Sequence, residues 1–128
     1  MSKNLFALLI MSCVITFLLV ACTTTSANTS SAPNQVHMNT TNFVSSSITI
    51  KKGERITLID DTLIPHTIAK GTWENGTAKP VKEPGAPKVE DVQIDGNSSV
   101  VIGPFTAAGT FHLYCTIHSD MNLTVTVQ

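Results

Sequence analysis

Between residue 36 and the C-terminus, apolar side chains recur at every second position in short runs, and no stretch carries a convincing helical period. Ile48-Thr49-Ile50 alternates, and so does Arg55-Ile56-Thr57-Leu58-Ile59. Val89 to Ile94 holds a further candidate, and Ser98 to Ile102 puts Val100 and Ile102 on one side. Phe111, Leu113 and Cys115 share a face, with His112 and Tyr114 opposite. Leu123, Val125 and Val127 share another, opposite Thr124 and Thr126. Gly53, Gly71, Gly76, Gly96, Gly103-Pro104 and Gly109 punctuate these runs. Evenly spaced short strands with turn residues between them predict an all-β Greek-key sandwich or barrel of about eight strands. Residues 74–87, ENGTAKPVKEPGAP, carry three prolines and two glycines. No central strand tolerates that, so a long loop is expected there.

Composition narrows the function classes. The 128 residues predict one domain. A formal net charge of −1 lacks the concentrated basic face that phosphate binding needs, so nucleic acid is not an expected partner. Three cysteines are too few for a disulfide framework or an all-cysteine zinc site.

The N-terminus reads differently. Lys3 precedes LFALLIMSCVITFLLVA, residues 5–21, which carries no charge and has the layout of an export signal. Its competing reading is an uncleaved anchor, since 17 residues is the lower limit for spanning a bilayer. Leu19-Val20-Ala21-Cys22 resembles the lipobox of bacterial lipoproteins, which implies cleavage before Cys22 and lipid on its thiol. Either way the remainder is expected outside the cytoplasm, held at a membrane. Residues 22–35 follow as a tether rich in Ser and Thr, too polar to offset the entropy of ordering. About 13 such residues reach roughly 20 Å. The domain is therefore expected over residues 36–128, as a monomer.

Removal of residues 1–21 takes Cys13 with it, and lipidation takes Cys22. Cys115 is then the one free thiol of an exported chain, which points to a reactive or metal-bound group. It opens Cys115-Thr116-Ile117-His118-Ser119-Asp120-Met121, a C-x2-H-x2-M run. Thiolate and thioether suit Cu(I), and imidazole suits both copper states. Two His, one Cys and a weak axial Met make a blue-copper site, so a second His is required. His37, His66 and His112 are the candidates. His112 lies opposite Cys115 and is expected in solvent. His37 sits in a strand of ambiguous parity. His66 follows Leu63-Ile64-Pro65 just past a strand, on a loop that Pro65 stiffens, and is favoured.

At this point the chain resembles the cupredoxins, type 1 copper proteins of the plastocyanin and amicyanin kind. The matching segments are VHMNTTNFVSSSITIKKGERITLID, IPHTI and IGPFTAAGTFHLYCTIHSDMNLTVTV. The resemblance implies one copper held by His66, Cys115, His118 and Met121. It further implies that the backbone N–H of Thr67 reaches the cysteine sulfur, although plastocyanins commonly have Asn there. Ser119 stands where many relatives with a short ligand loop have Pro.

The implied activity is one-electron transfer between membrane-associated redox proteins, such as a cytochrome, an oxidase or a reaction centre. No substrate is transformed, so no enzyme activity is expected. His118 is the expected electron exit, with Leu63, Ile64, Pro65 and Ile117 as a docking patch. Two rivals are a copper chaperone or storage protein and a small copper redox enzyme. The first would be richer in Met than a mature chain holding Met38 and Met121. The second needs an open coordination position, which Met121 would fill.

Overall fold

A computed structural model describes residues 34–128. The signal segment, Cys22 and the tether up to residue 33 lie outside the described residues. Among the described residues there are nine strands and no helix: β1 (Gln35–Met38), β2 (Ser47–Ile50), β3 (Ile56–Asp60), β4 (His66–Glu74), β5 (Thr77–Pro80), β6 (Val92–Ile94), β7 (Ser99–Ile102), β8 (Gly109–Cys115) and β9 (Asn122–Val127). They form two sheets. One has the order β1-β3-β7; the other runs β2-β9-β8-β4-β5, with β6 also on β4. The β1–β3 and β2–β9 pairs are parallel and the others antiparallel.

Period-2 patterning decides which faces meet. Ile56 and Leu58 of β3, Ile68 of β4, Phe111 and Leu113 of β8, and Leu123 and Val125 of β9 all point between the sheets and are buried. Phe105, from the loop between β7 and β8, is fully buried and stacks obliquely on Phe111 with ring centres 5.6 Å apart. At about 25 cal/mol per Å² of apolar surface, these side chains are the main stabilising term.

The stretch expected as one long loop is not one. Its start is a tight hairpin: β4 runs to Glu74, Asn75 and Gly76 turn with φ of 51° and 71°, and β5 returns to Pro80. Asn-Gly is the sequence of a two-residue turn with positive φ at both positions. Pro80 fits because β5 is an edge strand. The rest of the stretch does lack regular structure. It crosses the outer face of the larger sheet, where Glu83 holds it to His112. One carboxylate oxygen accepts the His112 N–H at 3.0 Å and the other meets its ring Nδ1 at 2.8 Å. His112, expected in solvent, is therefore half-buried. Tyr114, on the same outer face, is buried under the hairpin and meets Trp73 edge-on at 6.1 Å between ring centres.

Gly71 makes that closure sterically workable. Its φ is 139°, and a Cβ there would lie 2.9 Å from a Tyr114 ring carbon and collide with the Lys79 carbonyl. Gly71→Ala is expected to destabilise the domain by about 1–3 kcal/mol, as overpacking does. Chemical denaturation of the purified protein checks this through a lower midpoint at unchanged m-value.

Candidate metal centre

Four residues singled out by the sequence converge at one end of the larger sheet. His66 is the first residue of β4 rather than part of the loop before it. Cys115 is the last residue of β8. The two strands are neighbours, with Ile68 opposite Cys115. One residue further, Thr116 N–H donates to the Thr67 carbonyl at 2.8 Å. His118 and Met121 lie in the turn from β8 to β9. That turn is closed by Cys115 N–H donating to the Met121 carbonyl at 3.0 Å and Met121 N–H to the His118 carbonyl at 3.4 Å. Asp120 takes a φ of 63° within it, a conformation Asp tolerates better than most residues.

The side-chain geometry is tight. Cys115 Sγ lies 3.7 Å from His66 Nδ1 and 3.4 Å from His118 Nδ1. The two Nδ1 atoms are 3.1 Å apart, with the rings inclined at 61°. Imidazoles protonated at Nε2 would turn two lone pairs toward each other and toward a sulfur. A shared cation removes that conflict. First-row metal bonds to nitrogen and thiolate are about 2.0–2.3 Å, so one ion reaches all three atoms. Met121 is fully buried beside them in the chain and brings a thioether. This soft set fits copper in both its states.

Burial supports the same use. Cys115 and His66 are fully buried, and His118 is half-buried. Burial pushes the His66 ring below its ordinary imidazole value; the Asp60 carboxylate opposes this, and His118 adds to it. A neutral ring is the form that binds metal. His66 Nε2 is enclosed, and the Asn39 backbone beside the ring favours a proton on it.

The remaining histidines stay away. His37 is exposed and pairs with Asp61 at 2.7 Å, while His112 is tied to Glu83. Thr67 touches the cysteine strand through its carbonyl, which Thr116 N–H and, at 3.4 Å, the Thr116 hydroxyl donate to. Leu63 is 80% exposed, Ile64 41% and Ile117 57%, and Pro65 is exposed as well. These four side chains flank the two ligand rings in sequence.

Two contributors escape a sequence reading. Trp73 Nε1–H donates to the Cys115 carbonyl at 2.7 Å, across 42 residues. Asn122 clasps the Trp73 backbone from both sides: its Oδ1 accepts Trp73 N–H at 2.7 Å and its Nδ2 donates to the Trp73 carbonyl at 3.1 Å. No local signal marks this pairing, because it depends on the register of β4 against the β8–β9 hairpin. Gly96 is the second. A Cβ there would fall 2.6 Å from the Leu63 backbone, so Gly96 lets the loop before His66 settle.

Comparison with known proteins agrees with this geometry. Residues 30–128 match the family described as copper binding proteins, plastocyanin/azurin family. A plastocyanin from Ulva prolifera is 31% identical over 88 residues, covering 67% of this chain and 86% of that protein. The crystal structure of amicyanin from Paracoccus versutus matches with a TM-score of 0.57 at 19% identity, over 80% of this chain and 87% of its own. A reduced amicyanin mutant gives 0.55 at 20% identity, over 80% and 88%.

Trp73 is the one tryptophan of the chain, and it touches a ligand residue. Its fluorescence is expected to be quenched as Cu(II) is added, with the break at one equivalent. In Cys115→Ser the quenching at one equivalent should be lost.

Proposed function

Because the chain belongs to the plastocyanin/azurin family of copper-binding proteins, we propose that it is a type 1 copper electron carrier of the extracytoplasmic membrane surface. The observation that carries this reading is the convergence of one thiol sulfur and two imidazole Nδ1 atoms within 3.1–3.7 Å of each other. Bound copper supplies a one-electron Cu(II)/Cu(I) couple.

The protein's part is to hold its ligands still. Cys115 gives a thiolate from a strand end, His66 a neutral ring from the neighbouring strand, and His118 a second ring from the turn. Met121, buried beside them, would add a thioether, a soft group that suits Cu(I). Hydrogen bonds from Thr116 to Thr67 and from Cys115 to Met121 fix the backbone on both sides of the thiolate. Thr67 takes part through its carbonyl, which accepts the Thr116 N–H, rather than through the N–H expected to reach the sulfur. Ligands so fixed move little when the charge at the centre changes, which lowers the barrier to transfer.

His118 is the exit, because it alone of the four is not fully enclosed. Leu63, Ile64, Pro65 and Ile117 form the docking patch around it. A patch of this size suits brief encounters with a redox protein, for which small interfaces are typical. A cytochrome, an oxidase or a reaction centre has the right chemistry as donor or acceptor. Enclosure of His66, Cys115 and Met121 opposes a copper chaperone, whose site must open to hand over its ion. The segment through Cys22 acts as a lipoprotein signal, and the tether keeps the monomeric domain within reach of membrane partners.

Two outcomes are expected. Repeated reduction and reoxidation should leave copper bound, measured as metal per chain after each cycle; release on reduction would favour the chaperone. Leu63→Asp with Ile117→Asp should leave the visible spectrum intact but slow electron exchange with a redox protein about tenfold, a barrier change of about 1.4 kcal/mol.

For the anchor, Cys22→Ser in the full chain should shift the protein from the membrane to the soluble fraction and abolish incorporation of labelled fatty acid.

A further inference from the structure

β3 ends on a residue that breaks its own pattern. Ile56 and Leu58 point into the sandwich and are fully buried. The next inward position is Asp60, a carboxylate 2% exposed. Acidic side chains are almost never enclosed unless paired. No Lys or Arg pairs with Asp60 among the described residues, whose ion pairs are His37–Asp61, Lys79–Glu74 and His112–Glu83. Its Oδ1 accepts Thr62 N–H and the Thr62 hydroxyl, both at 2.8 Å. Its Oδ2 is buried with no partner. An unpaired buried charge is unfavourable, and an amide of the same shape would relieve it.

The position of this carboxylate gives it a use. Asp60 roots the loop of residues 61–65 that delivers His66 to the metal centre. Thr62, held by Asp60, accepts Ile64 N–H on its hydroxyl at 3.1 Å and Asn97 N–H on its carbonyl at 2.6 Å. The loop is thus pinned at its start by the carboxylate, in its middle by Thr62, and from below by Gly96. Only residues 61–65 separate that carboxylate from His66, so its charge sits at the root of the segment that ends on the ligand.

We propose that Asp60 is a positioning residue that sets the reduction potential of the copper centre: it fixes the loop before His66 and places an uncompensated negative charge on the His66 side of the site. This rests on the electron-carrier reading above. A negative charge in a poorly screened interior stabilises the more positive of two states. Here that is Cu(II), so Asp60 lowers the potential. Its retention in the core, against stability, follows from that role.

The test compares copper-loaded wild-type full chain with Asp60→Asn and Asp61→Asn. Asp61 is exposed and already paired with His37, so its variant serves as the control. In Asp60→Asn the Cu(II)-to-Cu(I) affinity ratio should fall about tenfold, which for one electron is a rise of about 59 mV in potential. Competition titrations of the apoprotein with Cu(II) and Cu(I) chelators should place that loss in Cu(II) affinity. The Asp61→Asn ratio should change less than twofold. Asp60→Asn apoprotein should melt no lower than wild type. An Asp60→Asn ratio within twofold of wild type, or a lowered potential, overturns the proposal. If Asp60→Asn does not fold, Thr62→Val removes a hydroxyl donor while leaving the charge. It should lower the potential, and an unmoved or raised value overturns the proposal. The electron-carrier reading fails separately, if wild type itself lacks an intense visible band with Cu(II).

Discussion

The pairing of β4 with β8 is the contact on which the site depends. His66 and Cys115 are 49 residues apart in the chain. They meet because Ile68 lies opposite Cys115 in the ladder and Thr116 donates to the Thr67 carbonyl. A one-residue slip would turn Cys115 to the outer face and His112 and Tyr114 to the inner one, since side chains alternate across a strand. The buried row of Phe111 and Leu113 forbids that slip, so the core that stabilises the sandwich also sets the thiolate. The β8–β9 pairing then fixes the turn that carries His118 and Met121.

This end of the molecule is where polar groups replace packing. Elsewhere the interior is aliphatic and aromatic. Here it encloses a thiol, the His66 imidazole, a thioether and the Asp60 carboxylate, with the His118 ring half-buried beside them. Among the described residues, Asp60 Oδ2 at the end of β3 is buried without a partner. That is unfavourable in a low dielectric, and it falls at the root of the loop that leads to His66 at the start of β4. Trp73 and Asn122 brace the same region from the outer face by hydrogen bonds to backbone atoms, so the ligands are held without polar contacts of their own.

Much of this was legible in the residues. Alternation in β3, β8 and β9 identified the core faces, and the C-x2-H-x2-M run identified three ligands. His66 was distinguishable from His37 and His112 by its place after a strand and a proline. The hairpin of β4 and β5 was obscured by Gly71 and Pro80, which argue against a central strand. Asn75-Gly76 was the available signal for it. The burial of Tyr114 and half-burial of His112 were not legible, because both depend on Glu83 and the hairpin crossing the outer face. Asp60 reads as a strand-ending polar residue. Only its parity with Ile56 and Leu58 hints that it faces inward, and parity does not show which oxygen lacks a partner.

The most direct test is a visible-light titration of the metal-free protein with Cu(II). An intense thiolate-to-copper band is expected that saturates at one copper per chain, bleaches with ascorbate and returns on reoxidation. Cys115→Ser and His66→Ala should abolish the band, whereas His37→Ala and His112→Ala should retain it. Copper binding with only a faint band, or a band that survives loss of Cys115, would contradict the assignment of the centre.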